Sequence, residues 1–268
     1  MCEGRLETGE SGPCPGGKVL TEEEAGRFEA AREKIIGKDR ERAGIGTLSE
    51  KTVHAVLKHY YAPDERLHER AVAGCVADIF DGERIVEIQT RSFDKMRTKL
   101  ERFLPLYPVT IVYPIPYKKL VYWVDEETGE ISGGRKSPLT GSPYLAFREL
   151  YKIKRYLKDP KLSIRLVLLN MEEYKLLNGW SHDRKRGASR FDRIPLSIEE
   201  EVELTCPQDY MQLVPYGLEE PFTSAQFGKA VHIRKETAGV VCHILNELSV
   251  LERTGKKGNA YLYITAEG

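Results

Sequence analysis

The sequence lacks the hydrophobic segments that mark membrane and exported proteins. No apolar run approaches the roughly 20 residues that a membrane-spanning helix needs. Residues 1–17 are acidic and rich in glycine and proline, and they contain no apolar core of the kind found in signal peptides. These absences predict a cytoplasmic protein that does not bind membranes.

Paired cysteines are also lacking. The five cysteines are scattered over the 268 residues, and no two of them form a Cys-x-x-Cys pair. This distribution favours free thiols in a reducing compartment over disulfides or a zinc site. With 41% hydrophobic and 31% charged residues, the chain has the composition of a globular protein with one large domain or two small ones.

Net charge is zero, but the charges are unevenly distributed. Basic and acidic residues number 41 each, so the overall charge gives no indication of nucleic-acid binding, and the distribution of charge leaves it open. A basic cluster at 184–193 lies close to Trp180 and Phe191, and cations beside aromatic rings favour nucleic-acid binding. This cluster and a basic loop near residue 135 predict contacts with nucleic acid, made by Arg135, Lys136, Arg184, Lys185 and Arg186.

Residues 77–90 predict a β-hairpin with polar groups at one end. A turn at residues 81–82 joins a strand that contains Asp78 to a strand that contains Glu87 and Gln89. Alternation along a strand places Glu87 and Gln89 on the same face. Two carboxylates and an amide can therefore converge at the end of a small sheet, an arrangement suited to Mg²⁺ or Mn²⁺ acting on phosphate esters.

Glu87 is the least ordinary member of this set. It lies within the run Ile-Val-Glu-Ile, where a carboxylate must be paired, coordinated to a metal, or desolvated at a cost of several kcal/mol. A metal site, a structural ion pair and a solvent-facing acid are the three interpretations that the sequence leaves open. His54 and Glu69 are further candidates for the same site, each with a structural role as its alternative.

Hydrophobic periodicity predicts helices that flank a central mixed sheet, an α/β architecture. The predicted helices cover 22–36, 49–60, a segment capped by Ser92, and 145–157. The predicted strands cover 68–80, 84–90, 109–113, 119–124, 129–132 and 164–169. After them the pattern changes to two helices, at 222–230 and 235–248, and two strands joined by a basic loop.

Composition divides the chain into four parts. Residues 1–20 predict a disordered tail, because they are rich in glycine, proline, serine and glutamate. Residues 21–195 form the α/β domain. Residues 196–220 predict an acidic linker broken by prolines, since 194–220 contains seven acids and no lysine or arginine. Residues 221–268 form a small C-terminal domain.

The C-terminal domain resembles a winged helix-turn-helix domain over 222–265. The matching pieces are Phe-Thr-Ser-Ala-Gln-Phe-Gly-Lys-Ala, Leu-Asn-Glu-Leu-Ser-Val-Leu-Glu-Arg and Gly-Lys-Lys-Gly-Asn-Ala-Tyr-Leu-Tyr. The resemblance implies DNA binding through Arg234 and Lys235 at the start of the second helix and through Lys256 and Lys257 in the wing. Binding of a protein partner or a second copy through this domain is the alternative.

The segment 46–169 resembles the PD-(D/E)XK nuclease-like superfamily, in which a helix glutamate precedes a strand aspartate and a Glu-x-Lys strand. Glu50, Asp78 and Glu87 occupy the acidic positions, and Gln89 stands in the place of the lysine. The Glu-x-Gln variant is similar to one in competence-protein and related bacterial branches. The resemblance implies a restriction-endonuclease-like fold, with Mg²⁺ or Mn²⁺ held by Asp78 and Glu87 and DNA as substrate.

Because Gln89 stands in the place of the lysine, the sequence does not identify the residue that supplies the catalytic positive charge. Gln89 can orient a water molecule but carries no charge. Lys51, Lys95 or Lys99 can supply the charge from another direction, or they can be solvated positions on helix faces. The sequence therefore predicts a metal-dependent DNA nuclease, with two alternatives: a nuclease-like DNA-binding regulator or accessory protein without catalysis, and a protein-interaction module.

Overall fold

The computed structural model describes residues 17–43, 52–125, 127–177 and 187–266. Its helices are α1 (Glu22–Ala43), α2 (Thr52–Tyr61), α3 (Met96–Phe103), α4 (Phe147–Leu150), α5 (Ser224–Ala230) and α6 (Lys235–Glu247). Its strands are β1 (His68–Val72), β2 (Cys75–Phe80), β3 (Ile85–Ile88), β4 (Val109–Asp125), β5 (Ile131–Lys136), β6 (Leu162–Leu177), β7 (Ser189–Leu204), β8 (Phe222–Thr223), β9 (Leu251–Lys257) and β10 (Ala260–Thr265).

A large mixed sheet forms the centre of the molecule, with the strand order β1-β2-β3-β4-β6-β7 and β5 paired to β4. The first three strands form an antiparallel meander, and β3, β4 and β6 then run parallel. Parallel neighbours need a crossover connection, and α3 lies in the connection between β3 and β4. The described chain is therefore a mixed α/β protein, as the sequence predicts at this level.

Helices cover both faces of this sheet. Consecutive residues of β4, Ile111 and Val112, belong to different buried clusters, as alternation along a strand requires. The cluster beneath α1 and α2 includes Phe28, Val56, Leu57, Ile79, Ile88 and Val167. The cluster beneath α3 and α4 includes Leu100, Phe103, Phe147, Ile85, Ile111 and Ile164.

The central strands continue past these clusters as a sheet extension, formed by 119–125 of β4, 171–177 of β6, 189–195 of β7 and the whole of β5. The β5 backbone passes close beneath aromatic rings of β4. At Gly133 the backbone φ is +115°, and a Cβ atom there would come within 2.5 Å of Cε3 of Trp123. Glycine is required at this position, because both the conformation and the close approach exclude a side chain.

The C-terminal unit consists of α5, α6 and a three-stranded sheet of order β8-β10-β9. A capping box starts α5, since the Thr223 side chain accepts from the Gln226 N–H and Gln226 Oε1 accepts from the Thr223 N–H. The two helices pack closely at Gly228, where a Cβ atom would come within 2.9 Å of the Ala238 Cβ.

This unit shares one hydrophobic core with the large sheet. The ring of Tyr144 lies 6.0 Å from that of Phe227, and the ring of Phe147 lies 6.4 Å from that of Tyr210. The Tyr144 hydroxyl also donates a hydrogen bond to the Leu213 carbonyl (2.9 Å). The two parts of the chain are thus joined by buried aromatic contacts and do not form separate cores.

The prediction of an acidic linker at 196–220 is wrong for residues 196–204. Residues 196–204 belong to β7 and pair with β6 up to the partners Ile164 and Leu204. Arg165 lies 2.5 Å from Glu203, and Glu201 accepts a hydrogen bond from Tyr61. The acids therefore have partners from distant parts of the sequence, which local composition does not reveal.

Three other expectations need correction. Lys18, placed in the predicted disordered tail, forms a β-bridge with Glu201; residues 1–16 lie outside the described residues. The predicted strand 68–80 is two strands, because Ala73 and Gly74 both have positive φ values and form a turn. The predicted helix 145–157 is the short α4 flanked by 3₁₀ turns.

None of the described helices has the length and apolar character needed to cross a bilayer.

Candidate functional site

Hydrogen bonds link Asp78 and Glu87 to each other's strands where β2 and β3 diverge. Those strands pair directly only through Ile79 with Val86 and Phe80 with Ile85. Beyond these pairs the side chains bridge the gap: the Ile88 N–H donates to Asp78 Oδ2 (2.8 Å), and the Asp78 N–H donates to Glu87 Oε1 (3.3 Å). Each acid thus accepts a hydrogen bond from the opposite strand, which fixes the pair at the end of the hairpin.

Glu87 is almost fully buried, with 3% of its side chain exposed, and its Oε2 lies 2.6 Å from the Nζ of Lys99 on α3. Burial raises the pKa of Glu87, and the neighbouring charge of Asp78 raises it further, to about 7 despite the opposing effect of Lys99. Lys99 is therefore a cation held next to a carboxylate that titrates near neutrality. Among the lysines that the sequence nominates, it is the one shown to reach the acid pair.

Asp78 has a different environment. Its Oδ2 lies 3.2 Å from Nε2 of His54 on α2. Burial works to raise the pKa of Asp78, but the hydrogen bond and charge of His54 and the Ile88 N–H outweigh it, so the pKa is lowered. The two acids thus have opposite tendencies, Asp78 towards the charged form and Glu87 towards the protonated form, as in sites that use two carboxylates differently.

The other predicted members of the site lie around this pair. The Gln89 side chain donates to the Ser92 carbonyl (2.8 Å), which ties it to the loop that follows β3. Glu69 is exposed and pairs with Lys58 (2.7 Å). Lys95 is exposed on the turn before α3. Glu50, like Lys51, lies outside the described residues.

The donor set fits a magnesium or manganese ion. Mg²⁺ is commonly bound through one or two carboxylates, with water and substrate phosphate filling the other positions. Asp78 and Glu87 supply such a pair of hard oxygen ligands. Within the described ranges no three histidine, cysteine, aspartate or glutamate residues form a metal-ligand cluster.

The predicted nucleic-acid contacts are dispersed. Arg135 and Lys136 are exposed on β5, while Arg184, Lys185 and Arg186 lie outside the described residues. Arg234 and Lys235 are exposed at the start of α6, and Lys256 and Lys257 are exposed at the end of β9. The Lys256 ammonium lies 4.8 Å from the ring centroid of Tyr261.

The beginning of α6 is exposed, whereas part of its second half contacts the rest of the chain. His243, near the end of the helix, lies 3.1 Å from the Lys154 Nζ, and its ring centroid lies 5.5 Å from that of Tyr151. Towards the start, Thr237 and Ala238 are buried, whereas Arg234, Lys235 and Glu236 are exposed. The first turn of this helix is therefore accessible for a groove contact.

The sequence does not nominate Lys119, Glu173 or Lys175, which the structure brings together on the sheet extension. They come from β4 and β6, and their contact depends on strand pairing. Alternation in the run Glu-Glu-Tyr-Lys of β6 was the available signal, because it places Glu173 and Lys175 on one face.

A family model supplies the classification. The chain belongs to the family described as a domain of unknown function, DUF8091, whose model matches residues 51–205. The chain is also 30% identical over 201 residues to an uncharacterized protein of Treponema pallidum (strain Nichols), covering 71% of this chain and 77% of the relative. No solved structure matches it. The family match spans α2 to β7 and includes Asp78, Glu87 and Lys99.

The raised pKa of Glu87 gives a prediction about stability. Because the folded-state pKa is about 7 and the ordinary value is 4.5, the contribution of Glu87 to stability is fully present below pH 4.5 and is lost as pH rises through 7. The loss amounts to about 3 kcal/mol. In thermal unfolding, the Tm of Glu87→Gln minus the Tm of the wild type should therefore be larger at pH 8 than at pH 5.

Mn²⁺ supplies a second readout for the same variant. Binding to the folded wild type at pH 8 should raise its Tm, because a ligand that binds only the native state stabilises it. Glu87→Gln lacks one ligand and should show a much smaller rise. In the pH experiment without Mn²⁺, a Tm difference between Glu87→Gln and the wild type that is the same at pH 5 and pH 8 would contradict the assigned titration of Glu87.

Proposed function

We propose that the protein is a Mg²⁺- or Mn²⁺-dependent DNA nuclease with a restriction-endonuclease-like α/β domain and a C-terminal winged helix. The observation that carries this proposal is the pairing of Asp78 with buried Glu87 at the divergence of β2 and β3, with Lys99 2.6 Å from Glu87. The helix, the antiparallel meander, the crossover helix and the parallel strand occur in the order of a PD-(D/E)XK core, which supports the same assignment.

Each residue of the site has a defined task in this proposal. Asp78 and Glu87 would hold the divalent ion, which would polarise the phosphate and lower the pKa of a water molecule. His54 keeps Asp78 ionised through its 3.2 Å contact. Lys99 supplies the positive charge that Gln89 lacks, and stabilises the negative charge that develops as water attacks.

The C-terminal unit has a binding role in this proposal. Its helix pair and three-stranded sheet support the assignment of a winged helix, and Arg234, Lys235, Lys256 and Lys257 are exposed. We assign to these residues contacts with DNA phosphates, which weaken as salt increases. Binding of a second copy or a protein partner through this unit is the alternative.

A DNA-binding protein without catalysis is the second candidate function. It is favoured by the contacts that occupy the candidate groups: Glu87 by Lys99 and the Asp78 N–H, and Gln89 by the Ser92 carbonyl. In this case Glu87 and Lys99 form a structural ion pair, and the protein acts as a regulator or accessory factor.

Incubation of the purified protein with supercoiled and single-stranded DNA separates the two candidates. We expect cleavage with Mn²⁺ or Mg²⁺ and none with EDTA, because without the ion the water is not activated. Asp78→Ala, prepared in parallel, controls for a contaminating nuclease. Retained gel shift without any cleavage by the wild type would establish the binding protein, and cleavage that survives Asp78→Ala would disprove the assigned site.

A further inference from the structure

Four cations surround one buried carboxylate on the sheet extension. Glu173 has 3% of its side chain exposed, and its Oε2 lies 3.1 Å from Lys119 Nζ, 3.2 Å from Arg193 Nε and 3.7 Å from Arg190 Nε. Its Oε1 lies 3.7 Å from Lys175 Nζ. One carboxylate thus organises four positive side chains that come from β4, β6 and β7.

These cations stand in rows across the strands. Arg135, Val121, Glu173 and Arg193 are successive partners on β5, β4, β6 and β7. Partners in register project from the same face of a sheet, so Arg135 shares a face with Glu173. We call the face that carries Lys119, Arg135, Lys175, Arg190 and Arg193 around Glu173 the cationic face.

The next row adds an aromatic ring to the cationic face. Trp123 is the partner of Lys175, which in turn is the partner of Arg190. Trp123 is partly exposed, and its ring lies close to Gly133. Cations with an aromatic ring between them form the surface on which single-stranded nucleic acids bind, because phosphates contact the cations and bases stack on the ring.

The electrostatics of the cluster favour an anionic ligand. Burial and the charge of Arg190 lower the pKa of Arg193, in spite of the opposing effect of Glu173. The pKa of Glu173 is itself lowered, because Lys119 and Arg193 outweigh the effect of burial. The mutual repulsion of the cations is relieved by a bound anion, and such a surface attracts polyanions.

The first turn of α2 connects the cationic face to the acid pair. Thr52 Oγ1 donates to Asp192 Oδ2 (2.6 Å), which precedes Arg193 and projects from the other face of β7, and His54 contacts Asp78 at 3.2 Å. Between these two residues, Val53 lines a small cavity together with Arg193 and Thr90, the residue after Gln89. The cationic face therefore adjoins the site of proposed cleavage.

We propose that the cationic face binds the backbone of a single-stranded DNA segment and leads it to Asp78 and Glu87. The assignment of the bound strand as substrate rests on the proposed nuclease function. An unpaired strand is the form that fits, because its bases can stack on Trp123 while consecutive phosphates meet the rows of cations. A base-paired duplex cannot offer a base face to that ring.

Lys175 and Arg190 are suited to a binding test, since 35% and 45% of their side chains are exposed and their removal leaves Lys119 and Arg193 beside Glu173. Fluorescence anisotropy with a labelled oligothymidine in EDTA measures binding without cleavage. Lys175→Gln/Arg190→Gln should weaken binding about tenfold and reduce the slope of log K against log salt by about 1.4, because each phosphate that is no longer neutralised lowers it by about 0.7.

A matched variant controls for the removal of two positive charges. Arg66→Gln/Arg70→Gln removes two exposed cations, one in β1 and one just before it, at the opposite edge of the sheet. This variant should bind as the wild type does.

Wild-type binding should quench tryptophan fluorescence, and Trp123→Phe should remove most of that signal. A duplex of the same length should bind more weakly and without quenching.

The outcomes separate this inference from the nuclease proposal. Equal binding by the Lys175/Arg190 variant and the wild type, or no binding by the wild type, overturns the cationic face as a DNA site, whether or not cleavage occurs. Weakened binding by this variant, with no cleavage by the wild type under Mn²⁺, supports the binding face and rejects the nuclease. Preference for duplex DNA overturns the assignment to single strands.

Discussion

Lys99→Met should reduce metal-dependent DNA cleavage by at least about 10²-fold, the typical effect of removing one group that stabilises transition-state charge. Lys99 is the cation within 2.6 Å of Glu87, and it provides the charge that the proposed reaction requires. Its loss also removes the influence that opposes the rise in the pKa of Glu87. The rate profile should then shift to higher pH, because Glu87 must lose its proton before it can bind the ion.

Lys95→Met is the matched control. Lys95 lies one helical turn earlier and is exposed, so its substitution should leave the cleavage rate and its pH dependence close to those of the wild type. Initial rates on a labelled DNA substrate between pH 6 and pH 9 measure both effects. If the two methionine variants behave alike, the role given to Lys99 is wrong and the Glu87–Lys99 pair is structural.

Glu173→Gln should cause the largest loss of stability among charge-removing substitutions in the sheet extension. The change keeps the shape of the side chain but leaves Lys119, Lys175, Arg190 and Arg193 without their shared carboxylate. Removing one partner of a buried ion pair costs several kcal/mol. Because the cations are partly exposed, we expect about 2–3 kcal/mol, which lowers the Tm by about 5–10 °C in a chain of this length.

A short oligothymidine should restore part of this Tm loss, since its phosphates can replace the missing carboxylate. Glu172→Gln is the neighbouring control: Glu172 projects from the opposite face of β6, where it accepts a hydrogen bond from the Tyr174 hydroxyl (2.8 Å). Its Tm should change little and should not respond differently to the oligonucleotide. A Tm for Glu173→Gln equal to that of the wild type would show that the cations do not depend on this carboxylate.

The acid hairpin could be predicted from the sequence because its signals are local. Alternation, the turn at residues 81–82 and the apolar neighbours of Glu87 are all contained in 14 residues, 77–90. The structure confirms that Asp78 and Glu87 meet and that Glu87 is buried. Whether they bind a metal stays a prediction.

The partners of these acids could not be chosen from the sequence. Lys95 and Lys99 have equal standing in a helical pattern, and only the packing of α3 on the sheet brings Lys99 to Glu87. His54 reaches Asp78 for the same reason, through the packing of α2. Such contacts depend on the angle between helix and sheet, which local periodicity does not determine.

Composition gave a wrong prediction where charged residues pair with residues that are distant in the sequence. The acids of residues 196–204 resemble a solvated linker when read alone, yet Glu201 contacts Lys18 through the backbone and Tyr61 through its side chain. For the same reason, composition did not indicate the role of Glu173, whose partners lie on three strands. In both cases strand pairing supplies the neutralising groups.

The shared aromatic core determines where this chain can be divided. Tyr144 and Phe147 are 5% and 0% exposed because Phe227 and Tyr210 cover them. A fragment that stops at residue 205, where the family match ends, leaves both rings facing water and forfeits several kcal/mol of apolar burial. The family segment in this protein therefore depends on residues beyond its own end for the burial of these two rings.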